Sequence, residues 1–348
     1  MTGAGGGGAA GVRAVPLGGD ERLSVGAVTP PIPSDFARHI AIVDAHAHSA
    51  ATGVRAVGQP GKVGVVHATF APGRTGKTAL SERFVKTPMH ITRPLYVDPG
   101  DPAHACLYLR TTGGGVAEND RIRQQFTFAP GAQATVTTQA ATNVHRMNTG
   151  FGSQWTSLSV GEGAVAEYLP GHTTLFAGSR CLQQTDFTVA AGGTLLASEV
   201  VMVGRLARGE CHEFEAFAQR TRVMVEGYPT VLNDNVCILG PGAGRSLMLY
   251  GRWPVWGTLL VVPTAGRPDG LDQTRAVVEE LRKSTAAAGA DSGDKSVAIG
   301  VSTLVGKAGC MVRVAGHSVP EVRGTLGRAH STARQLVVGR PAFDLRVM

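Results

Sequence analysis

Between about residue 62 and residue 250 the hydrophobic positions fall in short runs, several of them alternating with polar positions at period two. VGVVHATF (63–70), CLYLRTT (106–112), IRQQFTFAP (122–130), ATVTTQAATNVHR (134–146), AVAEYLP (164–170), TDFTVAAGGTLLASEVVMVG (185–204) and RVMVEG (222–227) are of this kind. Gly or Pro returns every ten or so residues between them, which predicts strands joined by tight turns. The pattern changes after residue 256. GTLLVVP (257–263) reads as a strand. LDQTRAVVEELRKSTAAAG (271–289) reads as a helix, with Asp272 near its start and Arg282 and Lys283 near its end, as the helix dipole favours. KSVAIGVSTL (295–304) and CMVRVAG (310–316) read as two more strands. Ser318-Val-Pro-Glu321 has the form of a capping box opening a last helix. The expected fold is mainly β: a sandwich- or β-helix-like body over about 62–256, then a small α+β cap over about 257–348 containing about two helices. No strict repeat stands out within the body.

Residues 1–60 differ. GAGGGGAAG near the start and TPPIP at 29–33 mark a flexible Gly/Ala/Pro-rich extension, and 34–60 is a mixed stretch that could pack on the main domain. The domain proper is expected at 61–348.

Composition narrows the class. With 43% hydrophobic and 17% charged residues, the chain can build a packed core, and global disorder is excluded. Gly makes up 47 of 348 residues, about double the usual ~7%, which suits many turns. No run of about 18 apolar residues suggests a membrane span, and no basic segment followed by an apolar run suggests a signal peptide. The net charge is +7, spread as scattered Arg without a basic block, and aromatics are few, which argues against nucleic-acid binding. Five cysteines without a CxxC pair read as reduced thiols in a cytoplasmic protein, with neither a disulfide frame nor a zinc knuckle.

Several motifs carry possible chemistry. Asp44-Ala-His46-Ala-His48 follows the apolar IAIV. On the end of a strand, His46 and His48 would point the same way and could hold a metal, as in a metal-dependent amidohydrolase. A barrel enzyme needs alternating strands and helices along most of its length, and helices are missing before residue 271, so a surface His pair is the plainer reading. Gly73-Arg-Thr-Gly76-Lys77-Thr78 resembles a phosphate-binding loop, but the first glycine of that motif would fall at Ala71; a turn at a strand end is expected. Gly113-Gly-Gly115 reads as a hairpin turn. Thr137-Thr138-Gln139 with Thr142, Asn143 and His145 makes a strand of unusual polarity, either solvated or lining an interior passage. Glu210 and His212 could share a strand face beside Cys211 and serve a divalent metal, or Glu210 could simply pair with an arginine beside the turn.

The order of these segments resembles the urease accessory protein UreD (UreH) family. The matching pieces are Gly76-Lys77-Thr78-Ala-Leu80 leading to Thr87-Pro88-Met89, then GGGVAEND (113–120), TTQAATNVHR (137–146), EYLP (167–170), LFAGS (175–179) and GRLARGE (204–210). Asn119, Asn143 and His145 replace the Gly, Lys and Tyr usual there, Met89 stands where Leu is common, and Cys211-His212-Glu213 displaces an aromatic.

The resemblance implies a non-enzymatic scaffold with a mainly β, β-helical fold. Its implied partners are the urease apoprotein subunits, UreF and the GTPase UreG, in a heteromeric complex that delivers nickel(II) as a transient cargo, with no tightly bound cofactor. A water-filled passage is the implied route. The expected passage residues are Asp120, Thr138, Gln139, Thr142, Glu167 and Glu210, with Arg146 and Arg205 pairing to the carboxylates. His46 and His48 are a candidate entry site for the ion, and His212 a further candidate ligand.

Overall fold

The computed structural model describes residues 24–50, 61–263, 268–290 and 297–345. The chain begins with α1 (Val25–Val28) and α2 (Ser34–Ala50). There follow β1 (Val63–Pro72), β2 (Thr78–Lys86), β3 (Met89–Ile91), β4 (Ala105–Thr111), β5 (Arg121–Phe128), β6 (Gln133–Thr138), β7 (Thr142–Val144), β8 (Gly152–Val160), β9 (Val165–Leu169), β10 (Thr173–Leu175), β11 (Arg180–Val189), β12 (Thr194–Met202), β13 (Ala216–Val225), β14 (Leu232–Leu239) and β15 (Val255–Val262). The last part is α3 (Pro268–Ala290), β16 (Val297–Thr303), β17 (Cys310–Gly316) and α4 (Val319–Val338).

The strands form two sheets. One has the order β14-β13-β11-β8-β5-β1-β2, the other β16-β17-β15-β12-β9-β6-β4-β3 with β7 and β10 attached at its side. From β4 to β13 the chain crosses repeatedly between them, so successive coils stack in parallel. Arg121 of β5 faces Ser153 of β8, Leu182 of β11 faces Ser153 in turn, and Ala218 of β13 faces Leu182. In the second sheet Ala105, Ala134 and Ala166 stack in the same way. One coil takes roughly 30 residues, the scale of a solenoid repeat. Where a parallel strand is covered on both faces it loses the in/out contrast. Accordingly β11 is buried at nine of its ten positions, and the run at 185–204 divides into β11 and β12, one in each sheet. The run at 134–146 likewise divides into β6 and β7.

The main core fills the space between the sheets. Phe70 stacks on Phe128 at 5.0 Å, and Tyr168 lies 6.4 Å from both Phe126 and Phe187. A second core joins the outer face of the other sheet to the cap: Leu196, Leu259, Val312 and Val314 pack with Val277 and Leu281 of α3 and Val322 and Leu326 of α4. The capping box at Ser318 and Glu321 is formed, with Gly339 in the left-handed conformation closing α4. No helix among the described residues is long and apolar enough to cross a membrane. The five cysteines are free.

The stretch 34–50 is helical, and this corrects the strand-end reading of Asp44-x-His46-x-His48. On a helix, residues two apart point to different sides, so the paired-imidazole geometry of an amidohydrolase does not form. Instead α2 lies on the outer face of the first sheet. Phe36 and Ile40 bury against Leu182, Ala216 and Ala218, worth about 1.5–3 kcal/mol for each large side chain before ordering costs. His39 Nε2 is 2.8 Å from Glu215, Asp44 pairs with Arg180, and the Gly150 amide donates to Asp44 at 2.9 Å.

The Gly73–Thr78 stretch is the expected turn, joining β1 to β2. The Gly73 amide donates to the Lys77 carbonyl at 2.8 Å, and the Lys77 ammonium sits 4.9 Å over the Tyr96 ring. Strand β2 follows it, where a phosphate loop requires a helix.

Candidate functional site

Interior-facing positions of the two sheets are not all apolar. Along β12 the interior parity runs Leu195, Ala197, Glu199, Val201. Glu199 therefore projects between the sheets, where the Gln183 side-chain amide of β11 donates to it. A cavity of about 40 Å³ adjoins it, with Tyr168, Thr185, Ser198, Gln219, Thr221, Asp234 and Thr258 supplying oxygen or amide groups. A wider recess of about 280 Å³ shares Gln219, Asp234 and Thr258 and continues to Tyr250 and Arg313. Asp234 and Arg313 pair at 2.5 Å, both partly exposed, at this mouth. Glu199 has no cationic partner among the described residues. Burial foremost, with the Asp234 charge adding to it, pushes its carboxyl up to about 7 in spite of the Gln183 hydrogen bond. A carboxyl so placed takes up or releases its proton near neutral pH. The donors around it are oxygens and amides, which bind a borderline divalent ion more loosely than thiolate or imidazole.

A second cavity, about 420 Å³, lies where the ends of β4 and β6 meet the beginnings of β5 and β8. Thr138, Gln139 and Thr142 line it together with Gln124 and Gln154. Three of the six expected passage residues thus share one chamber. The Thr138 hydroxyl is tied to its own turn, donating to the Ala140 carbonyl at 2.7 Å and accepting from the Gly171 amide at 2.8 Å. Gly115 closes one side: its φ is +139°, and a Cβ there would come within 2.0 Å of the Asn143 carbonyl. Outside this chamber His145, Phe176 and Arg205 form a groove with His172, Met202 and Arg208. The motif pieces 113–120, 137–146, 175–179 and 204–210 therefore meet along one rim.

The three acidic residues expected in the passage do not come together. Asp120, 3% exposed, accepts the Lys62 and Ala117 amides at 2.8 Å each and so fixes the turn into β5, with Asn119 at φ +62°. Glu210 pairs with Arg205, as expected, and also accepts the Ala177 amide at 3.4 Å. The Arg205 hydrogen bond foremost holds its carboxyl down to about 2, and Arg205 lies 4.5 Å over the Phe176 ring. Glu167 follows the opposite parity from its neighbour Tyr168. It points away from the inter-sheet space and under α4, where Arg334 Nε donates to it at 2.7 Å and His330 lies 3.0 Å away. Arg334 also donates to Asp98 at 2.6 Å, and His104 joins Thr135 at 2.8 Å beside them. Burial opposes ionisation of Glu167, but the His330 hydrogen bond and the charges of His330, Arg334 and His104 prevail and hold it down to about 2.

Arg146 is exposed, and no carboxylate lies within ion-pair distance of it among the described residues. His46 is exposed on α2, and the side chain of His48 lies outside the described residues. His212 is 1% exposed, in the left-handed conformation at φ +56°, beneath Gly244, where a Cβ would come 2.4 Å from its ring. Among the described residues no group of three or more His, Cys, Asp or Glu side chains is placed to hold a metal.

Sequence reading missed Glu199, Asp234 and Gln219. The signal for Glu199 was present: a lone carboxylate at the apolar parity of TLLASEVVM.

The model of the UreD urease accessory protein family matches residues 62–348. The chain is 37% identical to urease accessory protein UreD 2 of Streptomyces griseus over 292 residues, 84% of this chain and 96% of that one. It is 34% identical over 290 residues to urease accessory protein UreD of Haloarcula marismortui, 82% of this chain and 91% of that one. A motif rim in the expected order and a match over most of both lengths lead to one conclusion: the chain belongs to the UreD urease accessory protein family.

Proposed function

We propose that this protein is a non-enzymatic urease maturation factor of the cytoplasm. It binds the urease apoprotein, recruits UreF and the GTPase UreG, and hands on nickel(II) as a transient cargo. The observation that carries the cargo role is Glu199, a carboxylate without a cationic partner among the described residues, set between the sheets in an oxygen- and amide-lined space. Loose oxygen donors release an ion that thiolates would retain. In this reading Thr138, Gln139 and Thr142 line one chamber of the route and Glu199 with Asp234 another, while Glu167, Asp120 and Glu210 hold the walls in place.

The test is co-expression of the cognate urease genes with and without this chain, measuring nickel per purified urease active site alongside urea hydrolysis. Nickel-poor, inactive urease only in its absence supports the maturation role; equal nickel and activity in both overturns it. Within an active system, Glu199→Gln should lower nickel loading at limiting nickel, and unchanged loading removes Glu199 from the route.

A further inference from the structure

The most exposed large apolar side chains among the described residues are Leu247 at 93% and Met248 at 91%, with Leu249 beside them. They stand at the tip of the connection between β14 and β15, and the turn that carries them is closed. The Ser246 carbonyl accepts from the amides of Leu249 at 2.9 Å and Gly251 at 3.0 Å, and its hydroxyl accepts from the Met248 amide at 3.3 Å. The base is anchored as well. Tyr250 stacks on Trp256 at 3.6 Å, the Gly242 amide donates to the His212 carbonyl, and Arg245 donates to the Cys211 carbonyl at 2.7 Å. Arg245 and Arg252 flank the tip, both exposed, and neither has a carboxylate partner among the described residues.

We propose that this turn is a docking element: Leu247 and Met248 enter an apolar cleft of a protein partner whose rim carries carboxylates, which meet Arg245 and Arg252. A rigid turn loses little freedom on binding, and Met, aromatic and Arg side chains are enriched at protein interfaces. Two flanking cations complement an acidic protein rim but fall short of the basic cluster that holds a protein to an anionic membrane. The partner is a protein of the urease assembly, so the proposal rests on the maturation reading.

The test measures binding of the full-length chain to the purified urease apoprotein and to each of the other purified accessory proteins. Two double variants are compared with wild type: Leu247→Ser with Met248→Ser, and Arg245→Glu with Arg252→Glu, both checked for unchanged thermal unfolding. The apolar variant should bind at least one protein about tenfold more weakly. The charge variant should weaken the same complex at low salt, with the deficit narrowing as salt rises. Affinities of both variants within about twofold of wild type, for every protein that wild type binds, overturn the docking element and leave the maturation reading intact. A wild-type chain that binds none of these proteins overturns both. Wild-type flotation with phosphatidylserine vesicles, or wild-type self-association, that the apolar variant abolishes while its protein binding is unchanged, assigns the turn to lipid or to a second copy and overturns it also.

Discussion

Arg334 of the last helix donates to Glu167 of the central strand β9 across 2.7 Å, and neither side chain has any exposed surface. The contact joins cap to solenoid within a buried polar network that also holds His330 and Asp98, set in the apolar packing of the sheet's outer face. Removing one member of a buried pair leaves the other short of a partner, with only the Asp98 carboxylate facing Arg334 or only His330 within hydrogen-bond distance of Glu167. Arg334→Ala or Glu167→Ala should therefore cost about 3–5 kcal/mol, read as a lower midpoint in denaturant or heat. Loss of under about 1 kcal/mol in both variants would show that the pair contributes little.

The same pair sets an acid limit. The folded carboxyl of Glu167 titrates near 2, below the ordinary value of about 4.3, so its contribution is present above about 4.3 and is lost as pH falls toward 2. Wild type should lose stability across that interval more steeply than Glu167→Gln. Parallel acid-unfolding curves for the two proteins would contradict the assignment.

Glu199 works in the opposite sense. Its folded carboxyl titrates near 7, so the folded state binds the proton more tightly than the unfolded state does. The stabilisation is present below about 4.3 and fades as pH rises through about 7. Glu199→Gln should therefore stabilise the protein at pH 8 relative to wild type, with little change at pH 4. Unfolding midpoints at the two pH values decide it, and an equal effect at both refutes the titration.

Gly204 has φ +131°, and a Cβ there would lie 2.4 Å from the Glu210 carbonyl. Gly204→Ala should therefore strain the backbone by about 1–3 kcal/mol and loosen the Arg205–Glu210 loop. A variant as stable as wild type would mean that the loop relaxes freely.

Helix α2 touches the body through a small apolar cluster separate from the main core. Phe36→Ala should raise amide exchange across 34–50 while leaving β5, β8 and β11 protected. Increased exchange in those strands would show that α2 is part of the global folding unit.

Much of the fold was legible where local rules dominate. Ser318 and Glu321 announced α4, and the run 271–289 announced α3, although Lys283 lies inside a helix that continues to Ala290; the glycines of 113–115 carry a connection that crosses from one sheet to the other, where a hairpin was expected. Strands β2, β3, β8, β10 and β14 were missed. β8 is a central parallel strand whose mixture of Ser, Gln and Trp follows no period, and β14 is a polar edge strand. That the acidic site residues lie apart was hidden for a different reason. Glu167, Asp120 and Glu210 stand out in the motifs, but a motif does not say which side of a strand a residue occupies or whether backbone amides already claim it. Thr138, Gln139 and Thr142 were easier, because a polar run within one segment travels together. Asp44, His46 and His48 misled because an apolar lead-in such as IAIV fits either a helix or a strand.

Glu167 and Tyr168 are neighbours in sequence, yet one fastens the cap and the other lines the interior. A single inserted or deleted residue in β9 would exchange them, pressing a phenol ring onto Arg334 and leaving that guanidinium with Asp98 alone as counter-ion. Sequence change in this strand should consequently accumulate by replacement alone, and length variation among natural versions of the protein should be confined to the turns that flank it.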